Sequence, residues 1–356
     1  MTITIDCRHI DSSGIGVYLR ECLPFFLDSD NYFNLIGCPA RLDEIASGRN
    51  NCCLLECEIK PFSLKDTFAF PKKLLGTINR GELFYSPFFN IPNGIKVPVY
   101  TTIHDIIFPD MPELTSKIGL KARMFFFRRC YKKSKKIFTV SGFSKSRIAA
   151  HLGEVKPTIV TYSAIQPWIL EQAKNSPEKN KTIVFVGNIK KHKGLDCLLE
   201  AFRLARNDGL QHRLVIIGSR DNFRSSDNSV LRKIDSLGKE AVLFTGFISN
   251  QKLAAYLSAC SLLVQPSLYE GFGLPPLEAM VLGTQALISD IPVFREIYND
   301  FPVFFFHSGD CLDLKEKMLA ILSQNAVSVS LPEQLISKYT FQKTASTILS
   351  EFNSKN

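Results

Sequence analysis

The sequence predicts an α/β protein built from two doubly wound parallel sheets in tandem, and three observations predict it. Short apolar runs alternate with amphipathic segments of helical period along the chain, the pattern of parallel strands covered on both faces. At 356 residues the chain exceeds what one hydrophobic core commonly supports, so two domains are expected. Its 45% hydrophobic and 22% charged residues are an ordinary globular balance, which excludes disordered and fibrous classes.

In chain order, residues 2–6 read as the first strand. Residues 11–16 (DSSGIG) read as a polar, glycine-bearing turn, and 17–26 as a helix. Further strands fall at 34–37, 53–57, 83–86 and 97–104, the last ending at Asp105. A strongly basic helix follows, then a strand at 136–141, a helix at 144–151 opened by a serine cap, and a strand at 158–162. The stretch 171–181 (EQAKNSPEKNK) is polar and without period, as expected of an interdomain linker. The second half repeats the rhythm, with strands at 182–186, 213–217, 242–245, 262–265 and 285–289. Its helices fall near 195–206, 230–237, 251–258, 276–282 and 311–323. The expected domains are thus 1–170 and 182–338, Rossmann-like in pattern. Ligands of open parallel sheets bind outside the carboxyl ends of the strands, which makes the cleft between the two domains the expected site.

Composition bounds the compartment and the partners. The chain begins in a strand pattern with neither basic leader nor cleavable apolar core, and no apolar run reaches the ~18 residues of a membrane span. A cytoplasmic location is expected. The ten cysteines are scattered, which fits reduced thiols, and Cys52, Cys53 and Cys57 lack a second ligand pair at zinc spacing. No metal site and no cofactor are expected. Asp28-Ser29-Asp30, the one D-x-D, lies in a polar turn far in sequence from the glycine-bearing loop at 270–278 and reads as surface.

The net charge of +9 is uneven, since residues 1–168 hold 22 lysines and arginines against 15 acids. Residues 117–136 concentrate it: Lys117, Lys121, Arg123, Arg128, Arg129, Lys132, Lys133, Lys135 and Lys136 occur there with no acid. They are interleaved with Ile118, Leu120, Met124, Phe125, Phe126, Phe127 and Tyr131. Such a helix suits an anionic lipid surface. A core-facing phenylalanine stripe with a solvated basic back is the alternative. No nucleic acid-binding module accompanies the charge, so nucleic acid is not the expected partner.

The most informative segment runs from Pro266 through Glu270-Gly271-Phe272-Gly273-Leu274 to Glu278. It leaves an apolar strand, crosses a loop with two glycines and enters a helix with proline near its first turn. Gly271 and Gly273 allow backbone to approach a ligand, and amides at the helix start favour an anionic or hydroxyl-rich one. Two carboxylates bracketing the loop can accept hydrogen bonds from sugar and ribose hydroxyls.

On these residues the sequence resembles glycosyltransferase family four, of the two-domain GT-B architecture. Its hallmark, two glutamates with seven residues between them that include G-F-G-L-P, is matched by Glu270 and Glu278. The resemblance implies a retaining transfer of a sugar from a nucleotide diphosphate sugar. It implies that Glu270 contacts the sugar, that the amides of Phe272, Gly273 and Leu274 hold its hydroxyls and phosphate, and that Glu278 grips the ribose. Residues 183–195 (IVFVGNIKKHKGL) resemble the family's diphosphate-binding turn, with Lys193 on the family lysine. Its ammonium would neutralise charge on the leaving diphosphate. Asn188 stands where many relatives have arginine, leaving His192, Lys191 and Lys190 as candidates for a second cation.

Gly14-Ile15-Gly16 resembles the family's N-terminal glycine loop near the donor phosphates. The resemblance further puts His104 near the transferred sugar, with Asp105 beside it as either helix cap or substrate contact. Phe247 and Ile248, after Gly246, sit where relatives bind the base through backbone atoms. Glu296 lies near a family glutamate position or only caps a helix. Residues 140–144 (VSGFS) resemble an interdomain turn, and 339–345 the start of a closing helix, 339–356, that returns to the first domain. The G-I-G, T-I-H-D and V-G-N stretches look closest to mannosyltransferases of bacterial surface polysaccharide assembly. GDP-mannose is therefore the leading donor, ahead of UDP-glucose, UDP-GlcNAc and dTDP-rhamnose. The acceptor implied is a lipid-linked saccharide, with Asp105, Lys117, Lys121, Arg123, Arg128, Arg129, Lys132 and Lys133 on the acceptor or membrane side. A nucleotide-sugar epimerase of the same architecture and a silent sugar-nucleotide binding module are the alternatives.

Overall fold

The computed structural model describes residues 1–173, 177–218, 228–324 and 328–354. The chain divides into two compact units, residues 1–164 with 339–356, and residues 165–338.

The first unit holds seven strands: β1 Thr2–Asp6, β2 Tyr32–Gly37, β3 Cys52–Glu56, β4 Leu83–Ser86, β5 Val99–Thr102, β6 Lys136–Thr139 and β7 Thr158–Val160. All pair in parallel in the order β3-β2-β1-β4-β5-β6-β7. The central strands are covered on both faces, so Ile3, Ile5, Phe33, Leu35, Phe84 and Phe138 are all fully buried. The last helix, Phe341–Asn353, closes this unit. Its Phe352 packs among Phe26, Tyr85, Tyr100 and Phe138 at centroid distances of 5.9, 5.3, 5.9 and 6.3 Å. Glu351 pairs with Lys136 at 2.6 Å, and Thr344 Oγ1 donates to Tyr162 O at 2.6 Å.

The second unit holds six strands: β8 Asn180–Val186, β9 Arg213–Ile217, β10 Val242–Gly246, β11 Cys260–Gln265, β12 Ala286–Ser289 and β13 Phe304–Phe306. They too are all parallel, in the order β10-β9-β8-β11-β12-β13. The helix Leu195–Asn207 turns Leu195, Leu198, Leu199, Phe202 and Ala205 onto this sheet, the three-to-four spacing of one buried face.

Both sheets reverse their winding at the middle. After β1 the chain adds strands on one side and from β4 on the other; β8 and β11 flank the same reversal in the second unit. Such switch points leave a crevice at the strands' carboxyl ends where ligands sit.

The structure corrects several local expectations. The first helix begins at Ser13 and runs to Leu27, so Gly14 and Gly16 lie in its opening turn and not in a loop. Ser12 supplies extended backbone, and the following glycines do not stop a helix whose apolar face is buried. Gly16 is still required. A Cβ there would meet Ile10 O at 2.3 Å, whereas one on Gly14 would meet nothing within 4 Å. The strand expected to reach residue 104 ends at Thr102, which places His104 and Asp105 in the loop before the helix Ile107–Asp110. Asp105 Oδ1 accepts from the Ile107 amide, the first of that helix, at 3.2 Å. The helix after β6 spans Gly142–Leu152, and its serine cap is Ser141. Part of the stretch read as linker, 174–176, lies outside the described residues.

Candidate active site

The site in the second unit grows from its switch point. β8 delivers residues 187–194 and β11 delivers 266–274, the two loops leaving the strands where the winding reverses. The loops are packed backbone to backbone. Leu268 N donates to His192 O at 2.7 Å, and Gly194 adopts a left-handed conformation (φ 68°) against Pro266. A Cβ on Gly194 would stand 1.8 Å from Pro266 O, so only glycine lets the loops meet this closely. Gly273 is left-handed as well (φ 86°), with Phe294 closing the space where a side chain would be and Tyr298 hydroxyl donating to its carbonyl.

This packing brings Lys193 and Glu270, 77 residues apart, into a two-pronged ion pair. Lys193 Nζ donates to Glu270 Oε1 at 2.7 Å and to Oε2 at 2.9 Å. Glu270 is buried and Lys193 half-buried. Ser267 Oγ donates to the same Oε1 at 2.7 Å, and Gln265 Nε2 donates to Ser267 Oγ at 3.0 Å. Ser267 and Gln265 are fully buried. Neither was singled out in the sequence, where a hydroxyl three residues before the glutamate is the one available hint.

Glu278 follows one turn inside the helix Pro275–Val281 and is also buried. Desolvation raises its carboxyl to about 7, a rise that a hydrogen bond from Gln166 opposes. His192 is held down at about 4 by burial and by the neighbouring Lys193 ammonium, so it is uncharged at neutral pH. Of the residues considered for a second cation, that leaves Lys190 and Lys191, both exposed. Phe247, after β10, is 88% exposed, and Ile248 beside it is half-buried. Asn188, Gly271, Phe272, Gly273 and Leu274 all lie on the two loops.

In the first unit, His104 follows β5. Burial lowers its imidazole to about 4. Its Nε2 lies 3.0 Å from Pro87 O, and since a carbonyl only accepts, Nε2 carries the proton and Nδ1 is an acceptor in the neutral ring. Tyr18 lies edge-on to it at 5.0 Å. A network that the sequence did not suggest sits at this unit's switch point: buried Arg8 pairs with Asp6 at 2.6 Å and with Asp66 at 2.7 Å.

The basic helix spans Lys117–Lys133 with Ser116 as its cap. Phe127 and Cys130 are its buried anchors, so part of the aromatic stripe does face the core. Ile118 and Phe125 point outward, 81% and 51% exposed. Lys117, Lys121, Arg128, Lys132 and Lys133 are exposed, while Arg123 lies 4.1 Å over the Phe108 ring and Arg129 binds Asn93. An open trough on this face is lined by Leu120, Met124 and Phe125 together with Lys121, Arg128 and Lys132.

Among the described residues, no helix is long and apolar enough to cross a membrane, and no cluster of three or more histidine, cysteine or acidic side chains could hold a metal ion. Asp28 and Asp30 are exposed, and Asp28 pairs with Arg49.

Residues 167–339 match the family of glycosyl transferases group 1. The chain is 29% identical over 210 residues to a serotype-specific mannosyltransferase, WbdA, of Escherichia coli, the match covering 58% of this chain and 25% of that one. It is 30% identical over 203 residues to the O-antigen chain mannosyltransferase RfbU of Salmonella typhimurium, covering 56% and 54%. The chain thus spans between a quarter and about half the length of these curated relatives. Among solved structures it is similar to Anabaena HepE in complex with UDP-glucose, with a TM-score of 0.71, 17% identity and 99% of both chains covered. Residues 167–339 thus belong to the group 1 glycosyl transferases, glycosyltransferase family four, and the chain has the GT-B fold with a distant homology to bacterial O-antigen mannosyltransferases.

Proposed function

We propose that the protein is a retaining hexosyltransferase that moves a sugar from a nucleoside diphosphate sugar to a saccharide acceptor. One observation carries the reading: the switch point of the second sheet joins a flexible ammonium, Lys193, to a carboxylate, Glu270, with a second buried carboxylate, Glu278, one helical turn on. A cation at this place can leave its carboxylate for a diphosphate and offset the charge that grows on the leaving group. The carboxylate can then accept from sugar hydroxyls, and Glu278 from the ribose. In the first unit, neutral His104 offers Nδ1 as an acceptor to a substrate hydroxyl. In this reading the incoming acceptor oxygen bonds to the anomeric carbon as its bond to the diphosphate breaks. The acceptor's proton passes to the departing phosphate oxygen on the same face.

Mannose from GDP-mannose is the donor we favour, supported by the names of the relatives, ahead of glucosyl, N-acetylglucosaminyl and rhamnosyl donors. The acceptor we favour is a lipid-linked saccharide of cell-surface polysaccharide synthesis. The protein would work in the cytoplasm against the anionic inner membrane face, and the outward-facing Ile118 and Phe125 among exposed lysines and arginines support that placement.

Incubation with GDP-mannose and a lipid-linked saccharide fraction should release GDP only when acceptor is present. Glu270→Ala and Lys193→Ala should each lower turnover by at least 100-fold while circular dichroism stays unchanged. Near-normal turnover in either variant would remove these two side chains from the chemistry.

A further inference from the structure

The ion pair between Lys193 and Glu270 poses a problem for the transfer just proposed, and this inference rests on that reading. In the structure the ammonium satisfies both carboxylate oxygens. A diphosphate that draws Lys193 away takes two charge-assisted hydrogen bonds from Glu270 at the moment when its orientation matters. A glutamate side chain has three rotatable bonds, and a carboxylate left with no other partner would turn among several rotamers.

The structure supplies one partner that a diphosphate does not remove. Ser267 Oγ lies 2.7 Å from Glu270 Oε1. A carboxylate only accepts, so the single hydroxyl proton of Ser267 goes to Glu270, and the hydroxyl oxygen must accept from Gln265 Nε2 at 3.0 Å. The direction of both bonds is therefore fixed, amide to hydroxyl to carboxylate, and each polarises the next. Among the described residues, Ser267 Oγ, its hydrogen directed by Gln265, has no second acceptor competing for the proton. Among the described residues Gln265 Oε1 is buried without a hydrogen-bond partner, so the amide is turned toward Ser267 at a cost in its own bonding. The backbone beneath is held too, because Ser289 Oγ donates to Ser267 O. Gln265 ends β11, a strand buried along its whole length, so the relay is rooted in the sheet and not in the loop.

We propose that Ser267, oriented by Gln265, is a positioning residue that keeps the Glu270 carboxylate aimed at the donor sugar once Lys193 has turned to the diphosphate. Ser267 acts through Glu270 and touches no reacting atom. Loss of its hydroxyl should therefore weaken recognition of the sugar and leave recognition of the nucleotide intact.

The test measures affinities of GDP and GDP-mannose, and of UDP and UDP-glucose, by titration calorimetry on the full chain. In Ser267→Ala, GDP or UDP should bind within twofold of the unaltered protein, whereas the matching nucleotide sugar should weaken by about tenfold, the scale of one hydrogen bond to a charged group. Gln265→Met should shift the same ratio in the same direction by a smaller factor, and Ser267→Thr, which keeps the hydroxyl, should restore it. An unchanged nucleotide-to-nucleotide-sugar ratio in Ser267→Ala would overturn the proposal. So would equal weakening of both ligands, which would mean that the loop had collapsed. Failure of the unaltered protein to bind any of the four probes would instead sink the glycosyl-transfer reading, and this proposal with it.

Discussion

Glu278 is a side chain whose chemistry depends on its surroundings. Burial lifts its carboxyl from 4.5 to about 7. The folded state keeps a proton that the unfolded chain releases, so the associated stability is fully present below pH 4.5 and is lost as pH rises toward 7. At ~1.4 kcal/mol per pKa unit the loss is on the order of 3 kcal/mol. Glu278→Gln should therefore raise the melting temperature at pH 8 and leave it nearly unchanged at pH 4. Ligand binding should run the other way. If Glu278 accepts both ribose hydroxyls it must be ionised, and affinity for the nucleoside diphosphate should rise from pH 6 to pH 8 by up to about tenfold, with proton release. Titrations in buffers of different ionisation enthalpy read both quantities. An affinity flat across that range in the unaltered protein would separate Glu278 from the nucleotide. His104 adds no titration there, because burial keeps it neutral down to about pH 4.

At the scale of elements, the basic helix shows what sequence could and could not tell. Its basic, solvent-facing character follows from a run without an acid, whereas its Ser116 cap, its end at Lys133 and the division between core-facing Phe127 and outward Phe125 needed the packing of the helix. Reversal of three exposed charges, in the triple variant Lys121→Glu, Arg128→Glu and Lys132→Glu, should lower binding to vesicles rich in phosphatidylglycerol by ~100-fold or more, at ~1 kcal/mol per basic residue. Flotation against vesicles of neutral phosphatidylcholine gives the baseline, and undiminished binding of the variant would remove the helix from the membrane. Elsewhere, the central strands were legible because each is a continuous apolar run. β13 was missed because three residues at a sheet edge are too short for a pattern. Glycines 14 and 16 misled, since glycine lowers helix propensity by only ~1 kcal/mol and the buried face of the first helix outweighs it. The pair of motif glutamates and Lys193 could be read from local sequence. The ion pair that joins Lys193 to Glu270, and the pairing of Arg8 with Asp66, could not, because both are tertiary contacts between distant segments.

The whole chain is organised around an interruption. The first unit is built from residues 1–164 and from 339–356, so the core over its sheet is complete only when the C-terminal segment returns to it. The returning helix supplies core and not mere cover. Phe352 is 2% exposed and meets four aromatic rings, and Thr344 and Ala345 are buried on the same face. Glu351 neutralises Lys136, a lysine only 6% exposed at the start of β6 that would otherwise leave a charge nearly stripped of water. Truncation of a core phenylalanine to alanine costs about 3–5 kcal/mol where the site cannot collapse, and a ring held among four others has little room to collapse. Phe352→Ala should therefore speed amide exchange in β4, β5 and β6 by 100-fold or more, while amides of β8, β9 and β11 in the other unit keep their protection. Exchange followed by mass spectrometry resolves the two sets. Equal loss of protection in both units would show that they unfold together, and no loss in either would show that the returning helix contributes little to the sheet it covers.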